Sequence, residues 1–275
     1  MRESFLSLLD SGDKDTYTDT INSDFVLVMG FMPSRQKSIL KRLRENRSVV
    51  YLSAIEDKNM TSIAQIQSRY EAGSEEGVLA IMAKELLSNS NVDTKTKDFF
   101  DNLDDGYISA ESNIGEEELE EIDKIYKKST KPMLVLGYDF YNHPRRKNIA
   151  NIINLFIKYG NFKVFVQNSE DILERNDTDQ ELQEVAQLDS FDGSVVYTCP
   201  PLNRDEEELL IGSQQFALVA KVKDDDDIFV ITENGEYRRK FMLDKELKGT
   251  IALLPSANGD ESYYYKIAKI IKREN

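Results

Sequence analysis

The sequence predicts an α/β protein with a mostly parallel Rossmann-like sheet made of two similar strand–helix–strand halves, followed by a small β-rich C-terminal domain. Two observations predict the sheet. Phe25–Gly30 and Met133–Gly137 are continuous apolar runs that end at glycine, as buried parallel strands do, and each precedes a helical pattern and another apolar run. A third observation, a series of short apolar segments after residue 188, predicts the β-rich domain.

The first half of the sheet is predicted from residue 23 onward. Pro33 and Ser34 are typical of a helix start, and Val49–Leu52 forms the next strand. Residues 1–22 are polar after a short apolar patch, Phe5–Leu9. We expect them to be a poorly ordered lead-in.

The region between the halves is predicted to be mainly helical. A short strand is expected within Ile63–Tyr70, followed by a helix over Val78–Leu87 with acidic residues at its start, where the helix dipole favours them. Another helix is expected over Thr94–Leu103, and an acidic one from Ile114 to about Lys128. Asp105-Gly106 is interpreted as a turn.

The second half completes an α/β domain predicted for residues 23–187. Pro144 is expected to open a helix through Tyr159, and Phe162–Val166 to form the following strand. The charged stretch from Glu170 to about Gln187 is interpreted as a linker or a short surface helix.

The β-rich domain is predicted for residues 188–275. Asn234-Gly235 is a hairpin signal between two of its apolar runs. The predicted strands are Ser194–Tyr197, Phe216–Val222, Ile228–Thr232, Tyr237–Leu243, Thr250–Leu254 and Tyr263–Ile271.

Charge and hydropathy exclude several classes of partner. Thirty-five basic and 50 acidic residues in a chain of 275 give a net charge of −15. This balance argues against nucleic acid and against anionic lipid, because both require a basic surface. The apolar runs are far shorter than the ~20 residues that span a bilayer. The start of the chain lacks a signal-peptide pattern, so we expect a cytoplasmic protein without direct membrane insertion.

One cysteine and one histidine limit the redox and metal chemistry of the chain. Cys199 cannot form an intrachain disulfide, and the ligands of an iron–sulfur cluster or a structural zinc site are missing. Cys199 ends an apolar strand and is interpreted as an inert, packed thiol. His143 precedes Pro144, which favours a role in a loop or at a helix entry.

Gly30 and Gly137 are candidates for a ligand crevice, because ligands of α/β sheets bind beyond the carboxyl ends of strands. Ser34 and Arg35 are the groups that would then contact a phosphate. Neither loop has a recognised nucleotide-binding motif, so tight turns are the simpler interpretation.

The charged runs are interpreted first as solvated surface. Glu116–Glu121 and Asp224–Asp227 lack the ligand spacing of a cation site. Arg145-Arg146-Lys147 is interpreted as a solvated helix face, or alternatively as a contact with an acidic partner subunit.

Several segments together resemble one family, the molybdopterin-oxidoreductase-like part of the large iron–sulfur subunit of bacterial NADH-quinone oxidoreductase, complex I. The similarity extends over roughly residues 25–255. The segments are Tyr70–Ala80, Gly106–Glu118, Pro132–Pro144, Asp192–Tyr197 and Leu247–Pro255.

The resemblance implies a fold and a complex without a cofactor site on this chain. The cysteine-rich region that binds iron–sulfur clusters in the family is missing, and no molybdenum ligand can be matched. The chain would be either a C-terminal piece of that large subunit or a separately encoded part of it. The resemblance implies a non-catalytic structural role in the peripheral arm. Other members of the membrane-associated respiratory dehydrogenase would hold the clusters, and the chain would sit at the inner face of the cell membrane through its complex.

Two other functions remain open from the sequence. One is a small-molecule binding protein with a nucleotide or pterin at the Gly30 and Gly137 strand ends. The other is a hydrolase or transferase that works through Asp and Glu alone, which would need paired carboxylates with raised pKa values in a cleft.

Overall fold

The computed structural model describes residues 5–9, 16–46, 48–166, 181–257 and 262–273. The chain forms two compact units, each with its own sheet, and the fold is α/β as predicted. The first unit comprises Met1–Phe31, Lys37–Ala54 and Met60–Asp189. The second comprises Met32–Gln36, Ile55–Asn59 and Ser190–Asn275, so it begins two residues from the predicted boundary and also includes two earlier loops.

The first unit contains a six-stranded, all-parallel sheet. Its strand order is β1-β6-β5-β2-β3-β4, with β2 at the centre between β5 and β3. The register aligns Val28 of β2 with Val135 of β5 and Tyr51 of β3. The strands are β1 Tyr17–Thr18, β2 Phe25–Met29, β3 Val49–Ser53, β4 Ile66–Arg69, β5 Pro132–Leu136 and β6 Lys163–Phe165.

Every residue of β2, β3 and β5 is buried, whichever face of the sheet its side chain points to. Both faces of the sheet are therefore covered, as in other α/β folds with helices on either side. On one face, Ile39 and Leu43 pack with Val26 and Val28 in a single apolar cluster. The helices are α1 Lys37–Leu43, α2 Glu75–Leu86, α3 Thr94–Asp101, α4 Asp105–Ser112, α5 Glu116–Tyr126, α6 Tyr138–Tyr141 and α7 Arg146–Gly160.

Two predictions for the first unit are wrong. The described part of residues 1–22 is not a loose lead-in, because Phe5 is fully buried and Tyr17–Thr18 pairs with β6. Asp105-Gly106 does not form a turn. It begins α4, since the Asp104 side chain accepts a hydrogen bond from the Tyr107 N–H and caps the helix. In the second unit, a helix does start at Pro33 as predicted, but it is the short 3-10 helix Pro33–Arg35, and the α-helix α1 starts at Lys37.

The predicted linker lies partly outside the described residues. Residues 167–180 are among those that the structure does not describe. Residues 181–189 have neither helical nor strand structure, so the prediction of a surface helix is wrong for this part. We call residues 181–189 the strap, because they extend along the first unit and are bound to it by side chains.

The second unit is a seven-stranded mixed sheet that curls on itself. Its order is β12-β7-β11-β8-β10-β9-β13, and one continuous segment, Tyr265–Lys272, supplies both outer strands. β11 pairs in parallel with β7, and β10 with β8. The strands are β7 Val195–Cys199, β8 Leu209–Gly212, β9 Asp227–Thr232, β10 Gly235–Leu243, β11 Ile251–Pro255, β12 Tyr265–Ile267 and β13 Lys269–Lys272.

One predicted strand of the second unit is a helix. Gln214–Ala220 forms helix α8, so the strand prediction for Phe216–Val222 is wrong. The Ser213 hydroxyl accepts a hydrogen bond from the Phe216 N–H and caps α8, and Phe216 packs into the apolar core. The predicted Asn-Gly hairpin joins β9 to β10 as expected.

Candidate functional site

The switch point of the parallel sheet lies between β2 and β5. From β2 the chain builds the sheet through β3 and β4 on one side, and from β5 it builds through β6 on the other. Ligands of open α/β sheets bind in the crevice beyond the carboxyl ends of such neighbouring strands. Gly30 and Gly137 directly follow β2 and β5, so the structure brings these two predicted residues together.

The chain itself occupies the space at this switch point. Backbone hydrogen bonds continue past the strands, from Gly137 N–H to the Met29 carbonyl at 2.9 Å and from Asp139 N–H to the Gly30 carbonyl at 3.1 Å. A Cβ atom at Gly137 would lie 2.1 Å from the Gly30 oxygen, and one at Gly30 would lie 2.6 Å from the Phe140 ring. Close packing therefore accounts for both glycines, and the backbone of Gly30 also has a φ of +77°.

The two predicted phosphate contacts bind carboxylates of the same chain. The Ser34 N–H donates to the Asp57 carboxylate at 2.7 Å, and Asp57 is only 1% exposed. The Arg35 guanidinium lies 2.5 Å from Glu206, with both side chains largely buried. All four residues belong to the second unit. In this conformation the groups expected to contact a phosphate already have anionic partners.

A buried polar cluster of the first unit lies where two of the family-like segments meet. Tyr70 and Glu75 come from the link between β4 and α2, and Asp139 and His143 from the link between β5 and α7. His143 Nε2 lies 3.4 Å from a Glu75 oxygen, and Glu75 and Asp139 have no exposed surface. Burial raises the pKa of the Tyr70 hydroxyl well above its usual range, and the nearby carboxylates raise it further.

Helix N-termini explain why carboxylates can be buried at this place. Glu75 and Glu76 stand in the first turn of α2, and Asp139 stands in the first turn of α6. The exposed backbone N–H groups and the dipole at a helix start stabilise negative charge. His143 also fulfils its predicted role at a helix entry, since its Nδ1 accepts a hydrogen bond from the Arg145 N–H at 3.0 Å.

Glu76 forms the centre of a second, adjoining network. Its carboxylate accepts hydrogen bonds from Arg145 Nε at 3.0 Å and from Asn148 Nδ2 at 2.7 Å. Arg145, which the sequence placed in a solvated or partner-binding basic cluster, is therefore bound within its own unit. Glu76 and Asn148 are 2% and 1% exposed, so these groups are held in fixed positions.

Cys199 is buried at the end of β7, as predicted. Burial raises the pKa of its thiol to about 12, which keeps it protonated and unreactive at neutral pH. Among the described residues, no group of three or more His, Cys, Asp or Glu side chains is placed to hold a metal ion.

An open cleft of about 730 Å³ lies between α3, α4, α7 and the strap. Five carboxylates and two lysines line it, so its net charge repels phosphate. The cleft carboxylate of Asp93 receives hydrogen bonds from the Tyr159 hydroxyl, Thr96 and Lys158, which hold its pKa well below the usual range. A general acid in this cleft would need the opposite shift.

Glu75, Glu76 and Asn148 were not singled out by the sequence analysis. The signal for the two glutamates was present, since Ser74-Glu75-Glu76 opens a helix, but it also fits an exposed helix start. Nothing local marks Asn148, whose partners are 72 and 35 positions away.

Comparison with protein-family models and with curated proteins gives no match. In the described part of the chain, no helix combines the length and the apolar character needed to cross a membrane.

Proposed function

We propose that the chain is a non-catalytic structural part of the peripheral arm of a respiratory NADH-quinone oxidoreductase, where it packs against the subunits that carry iron–sulfur clusters. The observation that carries this proposal is the filled switch point. Backbone hydrogen bonds and the Phe140 ring occupy the position where α/β proteins of this topology bind cofactors.

The family resemblance supports the same function through the buried cluster. Tyr70 and Glu75 lie in one family-like segment, and Asp139 and His143 lie in another. Their side chains are buried, and the contact between His143 and Glu75 connects the β4–α2 link to the β5–α7 link. We infer that these residues hold the two links together and do not face a substrate. In this proposal the chain reaches the membrane surface only through its complex, and the electron-carrying cofactors belong to its partners.

An exposed apolar face of the second unit could contact such a partner. Leu218 and Val219 of α8 are 69% and 48% exposed. Neighbouring large apolar side chains at a surface are typical of protein interfaces. We therefore expect this helix to contribute to contacts with another protein of the complex.

The proposal is tested by affinity purification of the tagged chain from detergent-solubilised membranes of its source organism. Other subunits of the dehydrogenase should co-purify, and the double variant Leu218→Asp/Val219→Asp should recover fewer of them than Gln214→Asp, a matched change at an exposed position of the same helix. Recovery of the chain without respiratory subunits, or with a stoichiometric flavin, pterin or metal of its own, would contradict the proposal.

The volume of the cleft is the one observation that favours a small-molecule binding protein, because about 300–1,000 Å³ is typical of ligand pockets. Its excess of carboxylates favours a neutral or cationic ring, such as a pterin, over a nucleotide. Thermal unfolding in the presence of a pterin and of a nucleotide distinguishes the two functions. A rise in Tm with pterin alone would favour binding in the cleft, since a ligand stabilises the state that binds it.

A further inference from the structure

The strap is held to the first unit by hydrogen bonds to its main chain. Asn148 makes a two-point contact with Gln183: Asn148 Nδ2 donates to the Gln183 carbonyl at 2.9 Å, and the Gln183 N–H donates to Asn148 Oδ1 at 2.8 Å. Asn151 Nδ2 donates to the Glu181 carbonyl at 3.0 Å. These amide side chains thus bond to main-chain groups of the strap, as a neighbouring strand does in a sheet.

The same pattern continues toward the end of the strap. Arg145 Nη2 donates to the Glu184 carbonyl at 2.9 Å, and the Ala186 N–H donates to Glu76 at 3.2 Å. The Leu188 N–H donates to the Tyr107 hydroxyl at 3.0 Å. Five strap residues are thus recognised through groups that every peptide carries.

Two strap side chains add contacts of their own that bear on recognition. The Gln183 amide oxygen accepts a hydrogen bond from Arg145 at 2.9 Å. Leu188 is 9% exposed and packs against Gly77 of α2, where a Cβ would lie 3.2 Å from the leucine methyl group. An extended peptide with a leucine at this position satisfies both the polar and the apolar part of the surface.

The receiving side chains are oriented by one another as well as by the strap. Glu76 is bound by both Arg145 and Asn148. Glu76 stands on α2 and Asn148 on α7, and Arg145 directly precedes α7. Glu76 and Asn148 are almost fully buried. The surface is thus organised in advance for an extended chain.

We propose that Glu76, Tyr107, Arg145, Asn148 and Asn151 form a recognition groove for an extended peptide, and that the strap is its occupant within the same chain. The ligand class is an extended polypeptide segment read through its main chain, with a leucine that enters the space above Gly77. The strap closes the groove, and its release opens the groove to such a segment supplied by another molecule.

The test uses a fluorescent synthetic peptide with the sequence of residues 181–189, measured by anisotropy. The full chain carrying Gln183→Pro/Ala186→Pro has lost the strap N–H groups that bind Asn148 and Glu76, so its groove should be open. It should bind the peptide saturably and about tenfold or more tighter than the wild-type chain does, since one such hydrogen bond corresponds to about 1.4 kcal/mol or tenfold. Adding Asn148→Ala to the same variant should abolish this gain.

A peptide with proline at the positions of Gln183 and Ala186 is the control, because it lacks the two N–H groups under test and the Gln183 amide oxygen that Arg145 binds. Equal binding of the two peptides to a folded strap variant would overturn the proposal. Hydrogen exchange on the wild-type chain gives an independent measurement if that variant does not fold. The amides of Gln183, Ala186 and Leu188 should exchange together and well before those of α7, and exchange only with the global unfolding of α7 would overturn the proposal.

Discussion

The two units bury polar groups in different ways. Among the described residues, five carboxylates are buried, and four of them, Glu75, Glu76, Asp123 and Asp139, belong to the first unit. Three of the four stand at the starts of α2 and α6. The apolar core of the second unit instead consists of strand side chains and α8 residues around Phe216 and Phe241.

This difference follows from the architecture. In an α/β unit each helix starts near the carboxyl end of a strand, and its free N–H groups can hold a buried carboxylate. A curled β-sheet satisfies its backbone within the strand ladders and offers few such positions. We therefore expect the first unit to depend on individual polar residues and on close backbone contacts. We expect the second unit to depend mainly on apolar packing, beside its Ser34–Asp57 and Arg35–Glu206 contacts.

The largest effect is expected from Phe241→Ala in the second unit. Phe241 is 1% exposed and stacks on Phe216 with ring centroids 6.1 Å apart. Its loss leaves a cavity and should reduce the free energy of unfolding by about 4 kcal/mol. Urea denaturation measures the change. The neighbouring Met242→Ala, at a 37% exposed position, should have a much smaller effect, and equal effects of the two substitutions would contradict the dependence of this unit on its apolar core.

Gly137→Ala should destabilise the first unit by about 3 kcal/mol, because the new methyl group would meet the backbone of Gly30 and Phe31 Cβ within 2.5 Å. Gly106→Ala in α4 is the matched control. There the nearest atom, an oxygen of Asp104, lies 3.7 Å away, and alanine favours the helix by up to about 1 kcal/mol. Thermal unfolding of both variants tests whether the switch point is as tightly closed as its geometry indicates.

The fold of the first unit could be predicted from the sequence because its signals are local. β2 and β5 are uninterrupted apolar runs, and pairing between them follows from the alternation of strands and helices. The second unit was harder. β8 has only four residues and pairs in parallel with β10, about 30 positions later, so nothing in its neighbourhood identifies it. A short apolar run such as Phe216–Val222 fits either a strand or a helix, and its Ser213 cap decides for the helix.

The candidate site could be predicted only in part, for a similar reason. Gly30 and Gly137 were expected at neighbouring strand ends because the topology dictates it. That Ser34 binds Asp57 and that Arg35 binds Glu206 depends on where distant loops come to lie. Sequence patterns predict which helix, strand or loop a residue belongs to. Contacts between side chains of separate loops depend on the folded structure and cannot be predicted from such patterns.

Glu76→Ala tests whether the first unit depends on single polar groups. The substitution leaves the donors of Arg145, Asn148 and Ala186 without their acceptor, and Asn148 is almost fully buried. We expect a loss of about 2 kcal/mol, since Arg145 is partly exposed and can regain water. Glu117→Ala, on the exposed first turn of α5, should change the stability little in the same urea titration. A comparable loss of unfolding free energy in both variants would contradict the dependence of the first unit on single buried polar groups.

Asp93 gives the first unit a dependence on acid pH. Its carboxyl accepts from the Tyr159 hydroxyl at 2.6 Å and from Thr96 N–H at 2.8 Å, and these hydrogen bonds lower its pKa in the folded state. Because the pKa of Asp93 is lower in the folded than in the unfolded state, its ionised carboxylate stabilises the fold fully above about pH 4, the usual pKa of an unfolded Asp. This contribution to the free energy of unfolding is lost as pH falls through the folded-state pKa. Asp93→Ala, which removes the α3 cap, should cost about 1 kcal/mol at neutral pH. The difference from wild type should shrink in acid, and a difference that is constant with pH would contradict the assignment.

Labelling of Cys199 tests the apolar second unit without any substitution at that position. Its side chain is 1% exposed, and burial raises the pKa of the thiol to about 12. In the native state a reagent therefore cannot reach the sulfur, and the reactive thiolate does not form at neutral pH. Iodoacetamide at about pH 8, below the usual thiol value, should label native protein only as fast as the second unit opens, and should label urea-unfolded protein rapidly. Phe241→Ala should accelerate labelling of native protein, whereas Glu76→Ala should not. Equal acceleration by both variants would show that the two units open together, and the separation of polar and apolar dependence would then fail.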